Sequence, residues 1–349
     1  MTASVTAIVL AYGEEPWLEE AVQAVLASTG ISVDVVVVDN GAAPGVIDKI
    51  KGLGGVRILS PAGNLGFAGG CDLGAAEATG QYLAFVNSDA IVSASALARL
   101  TEVAAEPGVG LVMGSIRLAD APELMNTAGN PVHITGLCWA GGFNEPASSY
   151  PERRQVASGS GCCFMIRREL WERLHGFAPE YFAYCEDTEL SLRIWQRGLS
   201  VEFIPDAVVL HHYEFSRNTN KLYLLERNRE IFVLTTFDGR SLLVLAPLLV
   251  LTEMLMLAAA VAGRWSGAKL RGWRWIWQHR RWIGERRATI QSERVVPDAV
   301  VLDRLTARID PANVAAPPGL SVLNIIMSSY WSVARRLLSA RPTRAPRRA

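Results

Sequence analysis

Glu186-Asp187 opens a helical run, Asp89 closes an apolar run, and His211-His212 ends another. A carboxylate pair, a further acid and an imidazole are the groups needed to activate a hydroxyl beside a metal-bound diphosphate. Displacing a nucleoside diphosphate from a sugar carbon takes a proton from the incoming hydroxyl and requires charge to be neutralised on the departing diphosphate. Asp187, with Glu186 beside it, is assigned the first task. A divalent cation held by Asp89 and one histidine is assigned the second, and such oxygen-rich coordination suits Mg2+ or Mn2+. Adjacent strand residues face opposite ways, so one of the two histidines reaches the ion, and His211 is favoured. Each residue alone has a plainer use, as a helix cap or a hydrogen-bonded strand end. The combination points to sugar transfer from a nucleotide donor.

These residues need a frame. Apolar runs Ser4–Ala11, Val33–Val38, Val56–Leu59, Tyr82–Val86 and Val109–Met113 read as strands. Between them, Glu14–Ser28, Phe67–Thr79 and Ser93–Ala105 read as helices. Such alternation predicts an α/β fold with a mainly parallel sheet and helices on both faces. Ligands of such sheets bind beyond the carboxyl ends of the strands. Tyr12 and Glu14 follow the first strand and Asp39 ends the second. Asn64, Gly66, Phe67 and Gly70 open a helix, and Asn87, Ser88 and Asp89 end a later strand. All are expected at the nucleotide-sugar site. Asp39 suits the imide N–H of uracil or thymine, and the glycines let backbone approach a ligand.

The second half repeats the logic. Gly159, Ser160 and Gly161 sit in a loop of small residues before an apolar strand, leaving room for an acceptor. Ala207–Leu210 reads as the strand that delivers the histidines. Arg217 then suits a phosphate, and Arg227 and Arg229 on the helix over 222–231 are expected to face an anionic ligand.

Composition bounds the reading. The chain has 349 residues and zero formal net charge. Residues 264–349 hold 17 Lys+Arg against 5 Asp+Glu, and residues 1–263 hold 17 against 29. An acidic body therefore carries a basic C-terminal end. Cys71, Cys138, Cys162, Cys163 and Cys185 form neither an even framework nor a C-x-x-C ligand spacing, which fits a reduced, cytosolic setting. The N-terminus lacks a basic leader and reads as a first strand.

Taken in order, the motifs Val38-Asp39-Asn40, Asn64–Gly70, Asn87-Ser88-Asp89, Gly161 with Arg167-Arg168, Gly176-Phe177 through Glu186–Arg193, and His211-His212-Tyr213 resemble family 2 glycosyltransferases of the GT-A fold. The resemblance covers about residues 3–235 and is to bacterial rhamnosyl-type enzymes of surface polysaccharide synthesis. It implies inverting transfer, with Asp187 as base, Asp89 as the end of a D-x-D metal motif and His211 as the later metal ligand. Asn87 replaces the first acid of that motif, and Asp72 stands where a second asparagine often follows the glycines.

The C-terminal part reads differently. Leu242–Ala262 would measure about 31 Å as a helix, near the hydrocarbon thickness of a bilayer, but carries Glu253. A spanning helix and a partly inserted helix pair are both consistent with it. The following Arg- and Trp-rich stretch, Arg264 to Arg287, is expected on an anionic leaflet and not on nucleic acid. Leu323, Ile326, Tyr330, Val333 and Leu337 form a helical stripe suited to an interface. The expected organisation is a catalytic domain over 1–237, with a nucleotide-binding half (1–115) and an acceptor half (116–237). A membrane-associated helical region (238–338) and a disordered basic tail (339–349) follow.

The resulting expectation is an inverting glycosyltransferase on the cytoplasmic face of a bacterial plasma membrane. It would use a dTDP- or UDP-sugar, rhamnose favoured, and a polyprenyl-diphosphate-linked saccharide as lipid-linked acceptor. The alternatives are a galactofuranosyl or other hexosyl transferase and, from another class, a non-catalytic nucleotide-sugar-binding scaffold subunit. Homo-oligomerisation is left open.

Overall fold

The computed structural model describes residues 2–213, 220–311 and 319–339. Strand β1 (Ser4–Gly13) is followed by α1 (Leu18–Leu26), β2 (Ser32–Ala42), β3 (Val56–Leu59), α2 (Gly66–Ala76), β4 (Tyr82–Asn87), β5 (Ala90–Val92), α3 (Ala96–Ala104) and β6 (Val109–Leu118). The second half contributes β7 (Ala121–Thr127), β8 (Arg154–Gln155), β9 (Cys163–Arg167), α4 (Arg168–Arg173), α5 (Glu186–Gln196) and β10 (Ser200–His211). Six helices complete the chain: α6 (Lys221–Thr236), α7 (Gly239–Ala262), α8 (Ser266–Gln278), α9 (Arg280–Ser292), α10 (Asp298–Leu302) and α11 (Leu320–Ser339).

One sheet runs β3-β2-β1-β4-β9-β6-β10-β5, with β7 on β6 and β8 on β10. The expected strands form, and β3-β2-β1-β4 pair in parallel. Val35 to Val38 are fully buried, as a continuous apolar run in a sheet covered on both faces should be. Beyond β4 the sheet is mixed. Strand β9 lies antiparallel between β4 and β6, while β10 runs parallel to β6. A strand's residues do not encode its direction, so the mixture was not legible in the apolar runs.

Short β5, absent from the sequence reading, fixes the key juxtaposition. Its antiparallel pairing with β10 sets His211 opposite Ala90, one residue past Asp89. Three residues give too little periodicity to announce a strand.

The C-terminal helices share the buried core of the sheet body through Leu245, Leu248, Ile283, Leu302 and Met327. Helices α8 and α9 pack on α6, and α10 packs on α5. The charge asymmetry serves this docking. Arg286 binds buried Glu189 at 2.6 and 2.5 Å, and Arg197 binds Glu293 at 2.6 Å. Arg286 was expected on a leaflet and instead faces the body, because an acid on α5 needs its charge. The tail beyond Ser339 and Arg217 lie outside the described residues.

Candidate active site

Helix α5 begins after a strained turn. Phe182, Tyr184 and Cys185 all have positive φ, 63°, 72° and 66°. For residues other than glycine each costs on the order of 1–3 kcal/mol and persists only when surroundings enforce it. Asp187, half-buried in the first turn of α5, accepts from Thr188 N at 2.7 Å through Oδ1. Its Oδ2 accepts from Gly161 N at 2.9 Å, across to the small-residue loop. Burial pushes the Asp187 carboxyl above the usual range, and the Gly161 and Thr188 N–H groups partly offset it.

Glu186 is 5% exposed, and its Oε2 has no hydrogen-bond partner. Burial, then the charge of Asp187, pushes its pKa well above the carboxylate range. The stronger upward push on Glu186 favours the negative charge residing on Asp187, the separation of roles that acid pairs achieve through unequal environments. Of the expected pair, Asp187 alone is placed to accept a proton from solvent or substrate.

The structure brings together Asp89 and His211, the two residues expected to share a cation. Asp89 and His211 are 6% and 8% exposed, and His211 Nε2 lies 3.2 Å from Asp89 Oδ1. Neighbouring ligands about 2.1 Å from an octahedral ion are about 3 Å apart, so the two atoms fit one divalent cation. His211 Nδ1 lies 3.0 Å from Asn126 Oδ1. The amide oxygen can only accept, so Nδ1 donates to it, and Nε2 is the ring nitrogen turned to Asp89. Asn126, on β7, was missed: only strand pairing brings it 85 positions back to the histidine. His212 faces away and stacks on Trp17, with ring centroids 3.6 Å apart. Its backbone N–H donates to Asp89 O at 2.9 Å.

Asp187 and the Asp89–His211 pair share one hub. Gly161 binds Asp187, and the next carbonyl, Cys162 O, accepts from Asn87 N at 2.9 Å, two residues before Asp89. A side chain at Gly161 would come within 3.5 Å of both Asp187 and Phe67. The glycine thus keeps open the space where the base, Phe67 and the Asn87-Ser88-Asp89 turn meet. Ser160 Oγ accepts from Cys162 N at 3.3 Å and steadies the same loop.

Nucleotide-side residues occupy strand ends as expected. Asp39 Oδ1 accepts from Ala42 N at 3.0 Å, and Tyr12 is exposed with its ring against Gly41. Glu14 follows at the end of β1. Asn64 Oδ1 accepts from Gly66 N at 2.7 Å. Asn40, unassigned from sequence, pins the loop by accepting from Leu65 N at 2.8 Å and donating to Gly66 O at 2.9 Å.

Several of the residues expected at the ligand also carry packing roles. Gly66 has φ +72°, and a Cβ there would lie 2.3 Å from Phe182 O, so the close approach is to the turn before α5. Gly70 lets α2 pack on Leu10, and buried Gly159 makes way for Leu111. Arg227 donates to Glu180 O and Tyr181 O at 2.8 Å each and is buried, so it does not face an anionic ligand. Arg229 pairs with Glu226 and Glu253 for the same reason: nearby carbonyls and acids claim its donors. Asp72 accepts from Phe177 N at 3.0 Å and holds the turn after α4. Glu226, Glu230 and Glu253 come close enough to hold a cation, but Lys269 Nζ fills that place at 2.6, 2.9 and 2.6 Å.

Comparison with known proteins agrees with this geometry. Residues 6–174 match the model of glycosyl transferase family 2, and residues 145–216 match that of the N-terminal domain of galactosyltransferase. The N-acetylglucosaminyl-diphospho-decaprenol L-rhamnosyltransferase of Mycobacterium tuberculosis is 26% identical over 236 residues, spanning 61% of this chain and 77% of that protein. The O-antigen biosynthesis protein RfbC of Myxococcus xanthus is 30% identical over 156 residues, 42% of this chain and 12% of that protein. Among solved structures, GalNAc-T7 with UDP, GalNAc and Mn2+ aligns with a TM-score of 0.58 at 17% identity, over 68% of this chain and 49% of that one. The mannosyltransferase PcManGT of Pyrobaculum calidifontis, with GDP-Man and Mn2+, aligns with a TM-score of 0.52 at 19% identity, over 84% and 86%.

Proposed function

Because this chain belongs to family 2 of the glycosyltransferases and has the GT-A fold, we propose that it transfers a sugar, rhamnose favoured, from a dTDP- or UDP-sugar to a polyprenyl-diphosphate-linked saccharide with inversion. One observation carries the reading. His211 presents Nε2 to Asp89 at 3.2 Å, within the hydrogen-bonded hub that also holds Asp187. Both solved relatives described above hold Mn2+ with nucleotide or nucleotide sugar, and the mycobacterial relative's name specifies rhamnose and a decaprenol-linked acceptor.

Asp89 and His211 would hold a divalent cation, which supplies charge neutralisation to the departing diphosphate. Asp187 takes the proton of the acceptor hydroxyl through the oxygen nearer the Gly161 loop. Its raised pKa suits proton transfer near neutral pH better than an exposed aspartate would. Neutral Glu186 beneath it adds no second charge to the site. Asp39 and the Asn40-pinned glycine loop are the base and diphosphate side of the crevice. Asp39 Oδ2 remains for an imide N–H.

The proposed setting is the cytoplasmic face of a membrane, where a polyprenyl carrier resides. Helix α7 is the one described helix long and apolar enough to cross a bilayer. Its inner face, Ser241, Leu245, Leu248 and Thr252, is buried, and Glu253 pairs with Arg229 and Lys269. Spanning would draw those charges, which belong to α6 and α8, to hydrocarbon depth. The opposite face exposes Leu243, Val250, Met254 and Val261. Antiparallel α11, joined through Tyr330 Oη to Val244 O at 2.6 Å, exposes Val322, Ile325, Ile326 and Val333. Arg240, Arg264, Arg335 and Arg336 are exposed at the ends of the two helices. The pair therefore suits the partly inserted, in-plane arrangement on an anionic leaflet.

A donor screen with purified protein and Mg2+ or Mn2+ tests the function. Nucleotide release that rises on adding a lipid-linked saccharide supports transfer. Binding without release from any nucleotide sugar would favour the scaffold reading, and preference for UDP-galactofuranose would favour the other hexosyl reading.

A further inference from the structure

The turn Glu180–Tyr184 places five successive carbonyls before α5, and each is held from outside the turn's own sequence neighbourhood or across it. Arg227 Nη2 donates to Glu180 O and Tyr181 O at 2.8 Å each. Asn228 Nδ2 donates to Tyr181 O at 2.9 Å, Ala183 O at 2.8 Å and Tyr184 O at 2.7 Å. The remaining carbonyl, Phe182 O, accepts from Ala68 N at 3.1 Å at the start of α2. Arg227 Nε also donates to Asn228 Oδ1 at 2.9 Å, so the two side chains act as one unit. Helix α8 backs them: Trp275 lies 4.5 Å from the guanidinium, and Gly272 leaves room for the Arg227 stem.

The stretch they grip contains Phe182 and Tyr184, and Cys185 follows it; all three have positive φ and do not hold that conformation unaided. Asp187 follows two residues later. We infer that Arg227 and Asn228 are positioning residues for the base: they fix the carbonyls of Glu180, Tyr181, Ala183 and Tyr184, and through them the start of α5, so that Asp187 meets the acceptor hydroxyl. Neither touches substrate. The inference rests on Asp187 being the base. Its other consequence is that the grip ties the base to the donor loop, because Phe182 O also anchors Ala68 N beside the Asn40-pinned glycines.

Two variants probe it without removing the base. Arg227→Lys keeps the charge and loses the planar fork, and Asn228→Ala removes the amide that bridges three carbonyls. Displacing a reacting group by about 1 Å can cost about 10²-fold in rate. Both variants are therefore expected to lower kcat about 10- to 10²-fold, with donor KM and Mn2+ binding by the Mn2+ electron paramagnetic resonance signal close to wild type. Asn228→Ala should also lower the melting temperature, because removing that fully buried amide leaves carbonyls unpaired. Asn228→Ala combined with Asp187→Asn should be no slower than Asp187→Asn alone, since both act through one carboxylate. Multiplicative losses in the double variant, or wild-type kcat in both single variants, would overturn the assignment. So would losses of donor binding and Mn2+ binding in parallel with kcat, which mark a merely structural role. Full turnover in Asp187→Asn itself would instead refute the base reading, a result separate from either.

Discussion

The placement of Asp187, Asp89 and His211 was legible because Asp89 and His211 end apolar runs and Asp187 opens a helical one. Their partners were not. Asn126, Asn40 and Asn228 sit within elements, and an asparagine inside a helix or strand announces nothing until pairing or packing shows what it holds. Asn126 holds His211 Nδ1 and so turns Nε2 to Asp89, and in the proposed metal site loss of such a partner typically costs 10- to 100-fold in metal affinity. Asn126→Ala is expected to weaken Mn2+ binding by about that factor, measured by titration of the Mn2+ resonance signal. Asp72 gives a second test at this scale. Burial raises its pKa to about 7, only partly offset by the Phe177 N–H. The folded state therefore binds a proton that the unfolded chain has lost. That stabilisation is complete below the unfolded value near 4, and it disappears as pH rises through about 7. Asp72→Asn keeps the acceptor oxygen and cannot ionise. Denaturant midpoints of variant and wild type should coincide near pH 4, and the variant's advantage should grow to a plateau above about pH 7.

Helices α1 to α3 and the four parallel strands could be read from periodicity because each carries its pattern locally. Strand β9 was read as the apolar strand after the Gly159–Gly161 loop but not as antiparallel, and β5 and β8 were not read at all, since direction and register are tertiary choices. The largest gap concerned the Arg- and Trp-rich helices. Composition showed a basic, aromatic stretch but not which guanidinium groups are spent inside. Glu189 is fully buried on α5; burial opposes its ionisation, yet Arg286 and Arg193 together hold its pKa below the usual value. Removing one partner of a buried ion pair costs roughly 3–5 kcal/mol, and Arg193 here softens that loss. Arg286→Ala is expected to destabilise the protein by about 2–4 kcal/mol and to loosen α9 from α5, read as a lower urea midpoint. An unchanged midpoint would show that α9 docks without this pair.

At the scale of the molecule, an acidic catalytic body and a basic helical end form one core, and the apolar surface left over lies on α7 and α11. The sequence held both facts, a bilayer-length apolar run and a lone glutamate within it, without showing that Glu253 turns inward. Met254→Glu with Ile325→Glu places charge on the outer face only. Wild-type protein should float with anionic vesicles and the double variant should not, while both release nucleotide from donor equally. Equal flotation would contradict the in-plane arrangement. The central claim is that Asp187 removes the proton while Asp89 and His211 hold the ion for the diphosphate. It is tested most directly by Asp187→Asn, comparing Mn2+ and donor binding at equilibrium with single-turnover transfer to acceptor. Binding like wild type with transfer slowed about 10²- to 10⁴-fold is the expected result, whereas transfer at the wild-type rate would contradict it.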